Sequence, residues 1–109
     1  MSTEQTKIID AIGIDNVTDN VILTISDQID WSEQTDNHLF LLQEKINSYL
    51  SFIESGEMIE VYPDAKNRKA VINVIYKYPL NKQAQEFYQK VEKIIENAGI
   101  GFKYKSLNV

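Results

Sequence analysis

The sequence predicts an α+β domain in which two helices cover one face of a β-sheet. Two stretches, 38–55 and 81–98, carry apolar residues at the three- and four-residue spacing of one helix face. Around them lie short segments rich in β-branched residues, in which apolar and polar positions alternate as in strands. A chain of 109 residues is long enough for one two-layer core and too short for two. We therefore expect residues 1–109 to form a single domain, with residues 1–7 disordered or frayed.

The helix predicted over 38–55 has the most regular pattern in the chain. Its apolar face is formed by Leu39, Leu42, Ile46, Tyr49, Leu50 and Ile53. Gly56 follows it and can adopt the left-handed conformation that commonly ends a helix. The second helix begins at Asn81, a favoured capping residue, and ends before Gly99. Both helices have an apolar face that a sheet would cover.

Four segments are predicted as strands, and a fifth segment is ambiguous. The predicted strands are 8–14, 21–26, 70–78 and 100–106. The ambiguous segment is 58–62, a short alternating run that is followed by Pro63. If 58–62 is a strand, the order after an optional first strand is βαββαβ, a ferredoxin-like arrangement with a sheet of four or five strands. If it is not, the order is ββαβαβ and the sheet is mixed, with parallel crossovers.

Composition limits the classes of function. The chain has no cysteine, which excludes disulfides, thiolate metal sites and cysteine nucleophiles. No apolar run is long enough to span a bilayer, and the first residues lack the pattern of a signal peptide. We therefore expect a cytoplasmic protein with no membrane partner.

Acidic and basic residues are unevenly distributed along the chain. Residues 1–60 contain twelve acids and two bases, whereas residues 61–109 contain four acids and nine bases. The acidic half disfavours nucleic acid as a partner, because it repels phosphates. It suits a basic protein, because complementary fields steer association. If the two halves interleave in the fold, the surface is mixed instead.

The most concentrated candidate site is the acidic segment 27–38. Its potential metal ligands are Asp27, Asp30, Asp36 and His38. Oxygen ligands suit a hard divalent cation, but the spacing matches neither an EF-hand loop nor a zinc-binding histidine pair. A solvated loop whose acids favour the start of the next helix explains the same residues. His38, the only histidine, would need a nucleophile to activate or a bound substrate. The sequence accordingly predicts no catalytic residue, no cofactor and no firmly assigned metal ligand.

Two features are candidates for binding a protein partner. Trp31 lies in the polar segment, where an exposed indole would anchor a partner, unless the ring folds over the core. The sheet face turned away from the helices would show Ile22, Val71 and Ile75 as an apolar centre. The N-terminal strand, or scattered apolar exposure, explains that face equally well. If the face is an interface, it would hold another protein or a second copy of the chain.

Four segments carry the most distinctive residue patterns. They are ISDQIDW, HLFLLQEKINSYLSFIESGE, YPDAKNRKAVINVIYKYPL and NAGIGFKY. Together, over about residues 8–106, they resemble a family of small bacterial proteins known only as a domain of unknown function. The adjacent Asp30 and Trp31 and the LQEKIN run are the most specific parts. The resemblance implies a bacterial origin and a compact domain, and it assigns no activity or catalytic residue.

These observations predict a non-catalytic protein-binding module, of which an immunity-type inhibitor of a basic toxin is one form. One alternative is an enzyme that binds a metal or a small molecule through segment 27–38. The other is a structural homodimer joined through the open sheet face.

Overall fold

The computed structural model describes residues 9, 11–28, 31 and 35–107, so the expectation for residues 1–7 lies outside the described part. Its strands are β1 (Ala11–Ile14), β2 (Val21–Asp27), β3 (Ala70–Tyr76) and β4 (Gly101–Ser106). Its helices are α1 (Thr35–Glu54), α2 (Glu57–Val61) and α3 (Lys82–Asn97), with a 3₁₀ helix at Pro63–Ala65.

The four strands form one mixed sheet in the order β1-β2-β3-β4. β1 and β2 form an antiparallel hairpin, whereas β2, β3 and β4 are parallel. Each parallel pair is joined through a long helix, because parallel strands need a connection that returns the chain to the same end of the sheet. The described elements therefore follow the ββαβαβ order.

The ambiguous segment 58–62 lies mostly in helix α2 and not in a strand. Gly56 takes a φ of +88° and redirects the chain after α1. Its carbonyl accepts hydrogen bonds from the backbone N–H groups of Ile59 and Glu60, at 3.2 and 3.3 Å. A helical turn satisfies these groups locally, whereas a strand would need a neighbouring strand. The ferredoxin-like order is therefore not confirmed, and the mixed-sheet alternative matches the sheet.

Both long helices appear close to the predicted positions. α1 covers Thr35–Glu54 where 38–55 was expected, and α3 covers Lys82–Asn97 where 81–98 was expected. Asn81 caps α3, since its Oδ1 accepts a hydrogen bond from the Ala84 N–H at 2.8 Å. None of the helices within the described ranges is long and apolar enough to cross a membrane.

The core lies between the sheet and the two long helices. From the parallel strands it contains Val21, Leu23, Ile25, Ile72, Val74 and Phe102. From α1 and α3 it contains Leu42, Ile46, Tyr49, Ala84, Tyr88 and Ile95. The strand residues alternate along each strand, so one face of the sheet carries the core.

The opposite face has no helix against it among the described residues. Ile22, Val71 and Gly101 are register partners across β2, β3 and β4 on this face. Val71 is only 3% exposed although it lies outside the core cluster. A Cβ placed on Gly101 would lie 2.9 Å from Cγ2 of Val71. The Val71 side chain therefore fills space that any residue with a Cβ would need at position 101.

β4 forms one edge of the sheet. Its two lysines, Lys103 and Lys105, are exposed and lie on the face without helices. Charged side chains on an edge strand discourage pairing with a further strand, because a second lysine-bearing strand would be repelled.

We expect Gly101→Ala to lower the free energy of unfolding by about 1 to 3 kcal/mol, because the added methyl group overlaps Val71. Gly13→Ala is the matched control: it also lies in a strand, and its Cβ would meet nothing within 4 Å. We expect the control to be neutral or slightly stabilising. Urea-induced unfolding followed by circular dichroism measures both. Equal effects of the two substitutions would contradict the close contact.

Candidate functional site

Buried polar side chains lie near the carboxyl ends of the parallel strands. In a β-α-β unit the helix starts at the end where the preceding strand finishes, so strand ends and helix starts meet at one edge. Asp27 is the last residue of β2, and His38 lies in the first turn of α1. The Asp27 carbonyl accepts a hydrogen bond from the Lys77 N–H, just beyond β3, at 2.9 Å. Open α/β sheets bind their ligands outside this edge.

Asp27 and His38 form a buried hydrogen-bonded pair. Nε2 of His38 lies 2.8 Å from each carboxylate oxygen of Asp27. His38 is 2% exposed and Asp27 is 6% exposed. Because carboxylate oxygens only accept hydrogen bonds, Nε2 is the donor. The other ring nitrogen, Nδ1, is then an acceptor in the neutral ring and a donor in the protonated ring.

Trp31 covers the ring of His38. The ring centroids are 3.5 Å apart and the ring planes meet at 20°. Trp31 is 4% exposed, so its indole is not the exposed anchor considered from the sequence. The ring instead folds over the core, as a large apolar side chain with a single polar atom often does.

Hydrogen bonds hold the Trp31 backbone between the starts of α1 and α3. Oγ1 of Thr35 donates to the Trp31 carbonyl at 3.0 Å. Nδ2 of Asn81 donates to Oγ1 of Thr35 at 3.3 Å and reaches the Trp31 carbonyl at 3.5 Å. Since Asn81 also caps α3, one side chain connects the two helix starts and the segment that carries Trp31.

Tyr88 of α3 lies near Tyr76, the register partner of Asp27, with the two tyrosine ring centroids 6.3 Å apart. Its side chain is fully buried, and its ring stacks on Tyr104 with the centroids 4.6 Å apart. Burial, together with the nearby charge of Asp27, raises the pKa of the Tyr88 hydroxyl well above its ordinary value. We call Asp27, Trp31, His38 and Tyr88 the carboxyl-end cluster.

Three buried polar atoms of the carboxyl-end cluster have no hydrogen-bond partner. They are Nε1 of Trp31, Nδ1 of His38 and Oη of Tyr88, and they are the only such side-chain atoms in the part of the chain that the structure describes. In native proteins nearly every buried polar group is satisfied by protein, water or a ligand. The cluster is therefore the place in the fold where bound water or a ligand would gain the most hydrogen bonds.

The structure brings together two of the four potential metal ligands, Asp27 and His38. Asp36 is exposed on α1, and Asp30 lies outside the described residues. Within the described ranges, no group of three or more histidine, aspartate or glutamate side chains is placed to hold a metal ion. Sequence reasoning did not single out Tyr88. The signal for the pair was an aspartate at a strand end followed by a histidine in the next helical turn.

An Asp–His pair can orient a histidine for acid–base chemistry, because the carboxylate fixes the ring and its tautomer. In this structure the ring lies beneath Trp31, and its free nitrogen is enclosed. The geometry suits the recognition of a small polar group by direct hydrogen bonds.

The three residues expected at the centre of the open sheet face differ in exposure. Val71 is buried, whereas Ile22 and Ile75 are half-buried. Ile22 and Val71, together with Asn73 and Lys103, line a shallow concavity of about 530 Å³. The face is therefore uneven, and its centre is less accessible than the alternation predicted.

A second surface is formed by the outer sides of α1 and α2. Residues 35–64 contain six acids and one lysine. The same two helices expose four large apolar side chains, those of Phe40, Leu41, Ile59 and Val61. We call the outer sides of α1 and α2 the acidic helical surface. Lys103 and Lys105 lie on the opposite face of the sheet, so these two groups of charges are separated in space.

A sequence model of a family of unknown function, DUF6572, matches residues 1–108. The chain belongs to this family. The resemblance to an uncharacterised domain is thereby confirmed. No curated protein and no solved structure matches the chain. Membership of DUF6572 supports an uncharacterised domain and assigns no role to any residue, so function is inferred from the side chains.

In this DUF6572 chain we expect Asp27→Asn and His38→Gln each to lower the free energy of unfolding by about 1.5 to 3 kcal/mol, because each removes a charge-assisted buried hydrogen bond. The double variant should lose less than the sum of the two, with a coupling of at least about 1 kcal/mol. Urea-induced unfolding of all four proteins measures this. Asp36→Asn, on the exposed side of α1, is the control and should cost less than about 1 kcal/mol, because it removes only a charge in the first turn of the helix. Additive losses would show that the pair does not act as a unit.

Two buried tyrosines offer a second comparison. The Tyr49 hydroxyl donates to the Thr24 carbonyl at 2.9 Å, so we expect Tyr49→Phe to cost about 0.5 to 1.5 kcal/mol. The Tyr88 hydroxyl has no partner, so Tyr88→Phe should be neutral or stabilising at neutral pH. Urea-induced unfolding of the two variants measures the difference.

Tyr88→Phe and the wild type should differ in alkaline solution. The raised pKa keeps Tyr88 neutral in the folded chain, whereas in the unfolded chain it ionises at a pH of about 10. Its contribution to stability is therefore complete below that pH and is lost as the pH rises further. Tyr88→Phe should lose stability less steeply than the wild type above that pH, because it lacks the hydroxyl whose pKa is raised. Parallel pH profiles of Tyr88→Phe and the wild type would contradict the raised pKa.

Proposed function

We propose that the protein is a non-catalytic binding module that holds a basic protein against its acidic helical surface. The observation that carries this proposal is the joint presence of clustered acids and exposed apolar side chains on α1 and α2. An immunity-type inhibitor, which covers a basic surface of a toxin, is one form that such a module takes.

The charge of the acidic helical surface favours a basic partner. Its acids are Asp36, Glu44, Glu54, Glu57 and Glu60, and Asp64 follows in the 3₁₀ helix next to it. All of these side chains are exposed. A field of one sign raises the rate at which an oppositely charged protein docks, and it repels acidic competitors.

Phe40, which lies between two of these acids on α1, supplies an anchor for affinity. Phe40 is a large aromatic residue on α1, and it is 59% exposed. Asp36 and Glu44 lie four residues before and after it, so all three occupy one stripe of α1. Aromatic side chains surrounded by polar groups often carry much of the energy of protein association. Leu41, the next residue of α1, adds exposed apolar area.

The acidic helical surface is also accessible to a macromolecule, unlike the carboxyl-end cluster. Trp31 and His38 are buried, whereas the side chains on the outer sides of α1 and α2 face solvent. We therefore assign protein binding to the helices and keep the buried cluster separate from it.

The experiment is site-specific crosslinking followed by quantitative binding. Phe40→benzoylphenylalanine places a photoreactive group on the acidic helical surface, and Val17→benzoylphenylalanine is the control at a highly exposed position in the β1–β2 turn. Irradiation in a lysate of the source organism should give a product at position 40 that is absent at position 17. Mass spectrometry identifies the captured protein, which is then produced and purified.

Binding of the purified partner decides the proposal. We expect a basic protein whose affinity falls with salt and falls at least about tenfold with Phe40→Ser. Glu44→Lys should slow association, whereas Glu96→Lys on α3 should leave it nearly unchanged. Equal capture at both positions, or binding that is insensitive to Phe40→Ser, would overturn the proposal. Capture of a second copy of the chain would favour the homodimer instead.

A further inference from the structure

We propose that the groove between α1 and α3 binds a small amphiphile, a free fatty acid of medium chain length. We call this groove the interhelical groove. It lies in the helical layer, apart from the carboxyl-end cluster, and the inference does not depend on the protein-binding proposal.

The interhelical groove lies where the two long helices run side by side over the sheet. Each helix follows a strand of the parallel part of the sheet, so the two helices run in the same direction. Residues three and four positions apart on a helix share one face, and the lining follows that spacing on both helices. Its apolar members are Ile46, Leu50, Phe87, Val91, Ile94 and Ile95.

The apolar lining extends from a buried floor to an exposed rim. Ile46 and Ile95 are buried, whereas Leu50 and Val91 are half-buried. Ile94 is 66% exposed, although it lines the same groove. An aliphatic chain in the groove would remove part of this rim from water, and such burial is favourable in proportion to the apolar area.

The volume of the groove limits the length of the tail. The groove has a volume of about 270 Å³. Sites for drug-sized ligands hold roughly 300 to 1,000 Å³, so the occupant is smaller than those ligands. A water molecule takes up about 30 Å³ and a CH₂ group needs a similar space, so the groove accommodates a chain of about eight carbons with its head group.

A single lysine determines the charge of the head group. Lys90 is the only charged residue that lines the groove within the described part of the chain. Its side chain is exposed, and it forms no ion pair with a described carboxylate. An ammonium group only donates hydrogen bonds, so its partner must be an acceptor. One ammonium balances one negative charge, which is the charge of a carboxylate.

Two amide side chains of α1 suit the same head group. Gln43 and Asn47 line the groove together with Lys90. Each amide offers two N–H donors, and a carboxylate accepts several hydrogen bonds at once. A cationic head group would instead be repelled by Lys90. The lining therefore favours a carboxylate over a neutral or cationic head group.

The test is a titration of the whole chain, labelled with ¹³C in its methyl groups, with sodium octanoate below its micelle-forming concentration and at constant ionic strength. We expect the methyl signals of Leu50, Ile94 and Ile95 to shift in a saturable manner. Octylammonium chloride has the same tail and the opposite head charge, and it should bind more weakly. Sodium acetate has the head group without the tail, and it should give no saturable shift.

A series of tail lengths measures the size of the groove. From butanoate to octanoate the affinity should rise about threefold with each added CH₂ group, because each group becomes buried. Beyond octanoate the gain should diminish, because the groove is then full. Equal affinity for butanoate and octanoate would contradict the apolar site.

Two pairs of variants separate the head group from the tail. Lys90→Gln should weaken octanoate about threefold without weakening octylammonium. Lys93→Gln is the control, because this lysine is exposed on the same helix and does not line the groove. Ile94→Asn should weaken both ligands, whereas Leu107→Asn, at another exposed apolar position, should leave both affinities unchanged. Circular dichroism verifies that each variant is folded.

Three further results would overturn the proposal. The first is a shift that grows linearly with octanoate and never saturates. The second is octylammonium binding as tightly as octanoate. The third is a set of methyl signals at Ile94 and Ile95 that moves with protein concentration in the absence of any ligand, because a second copy of the chain would then occupy the groove.

Discussion

Parallel pairing of β2, β3 and β4 determines where the chemistry of this protein lies. Because each strand must return to the same end of the sheet, a helix follows β2 and another follows β3, and both begin at the carboxyl edge. That edge receives the strand-final Asp27, the first turn of α1 and the cap of α3. The same connections place both long helices against one face, so their outer sides form a separate surface. One constraint on the backbone thus produces an enclosed polar cluster and an exposed acidic surface.

The carboxyl-end cluster contains unpartnered polar atoms, whereas the core around it is mainly apolar. A domain of this size has little free energy of folding to spare, and an unsatisfied buried polar atom costs about 1 to 3 kcal/mol. A phenylalanine in place of Tyr88 would fill the same space without a hydroxyl to satisfy. Departures from an apolar core tend to occur where a protein does something besides fold. The burial of these three atoms without hydrogen-bond partners is therefore informative, whatever occupies the site.

The sequence predicted the features that depend on neighbours along the chain and left open those that depend on distant contacts. The end of α1 at Gly56 follows from local backbone conformation, and the alternation of β2 to β4 identified the face that carries the core. The segment 58–62 is too short to distinguish the strand period from the helix period, and only the availability of a neighbouring strand decides between them. Asp27 and His38 are eleven positions apart and meet only after β2 and α1 have formed. Tyr88 lies on another helix, so no local sequence pattern identifies it as part of the cluster.

The position of β4 at the end of the sheet order has a consequence for synthesis on the ribosome. β3, with the sequence AVINVIY, has no charge and no proline, and it combines strong β propensity with high apolar content. Its outer edge stays unpaired until α3 and then β4 have emerged, because β4 is its partner on that side. During this interval the nascent chain exposes a segment that readily pairs with other chains, which is the condition that chaperones counter. Once β4 has docked, its lysines present a charged edge in place of an apolar one, so folding itself removes the aggregation risk.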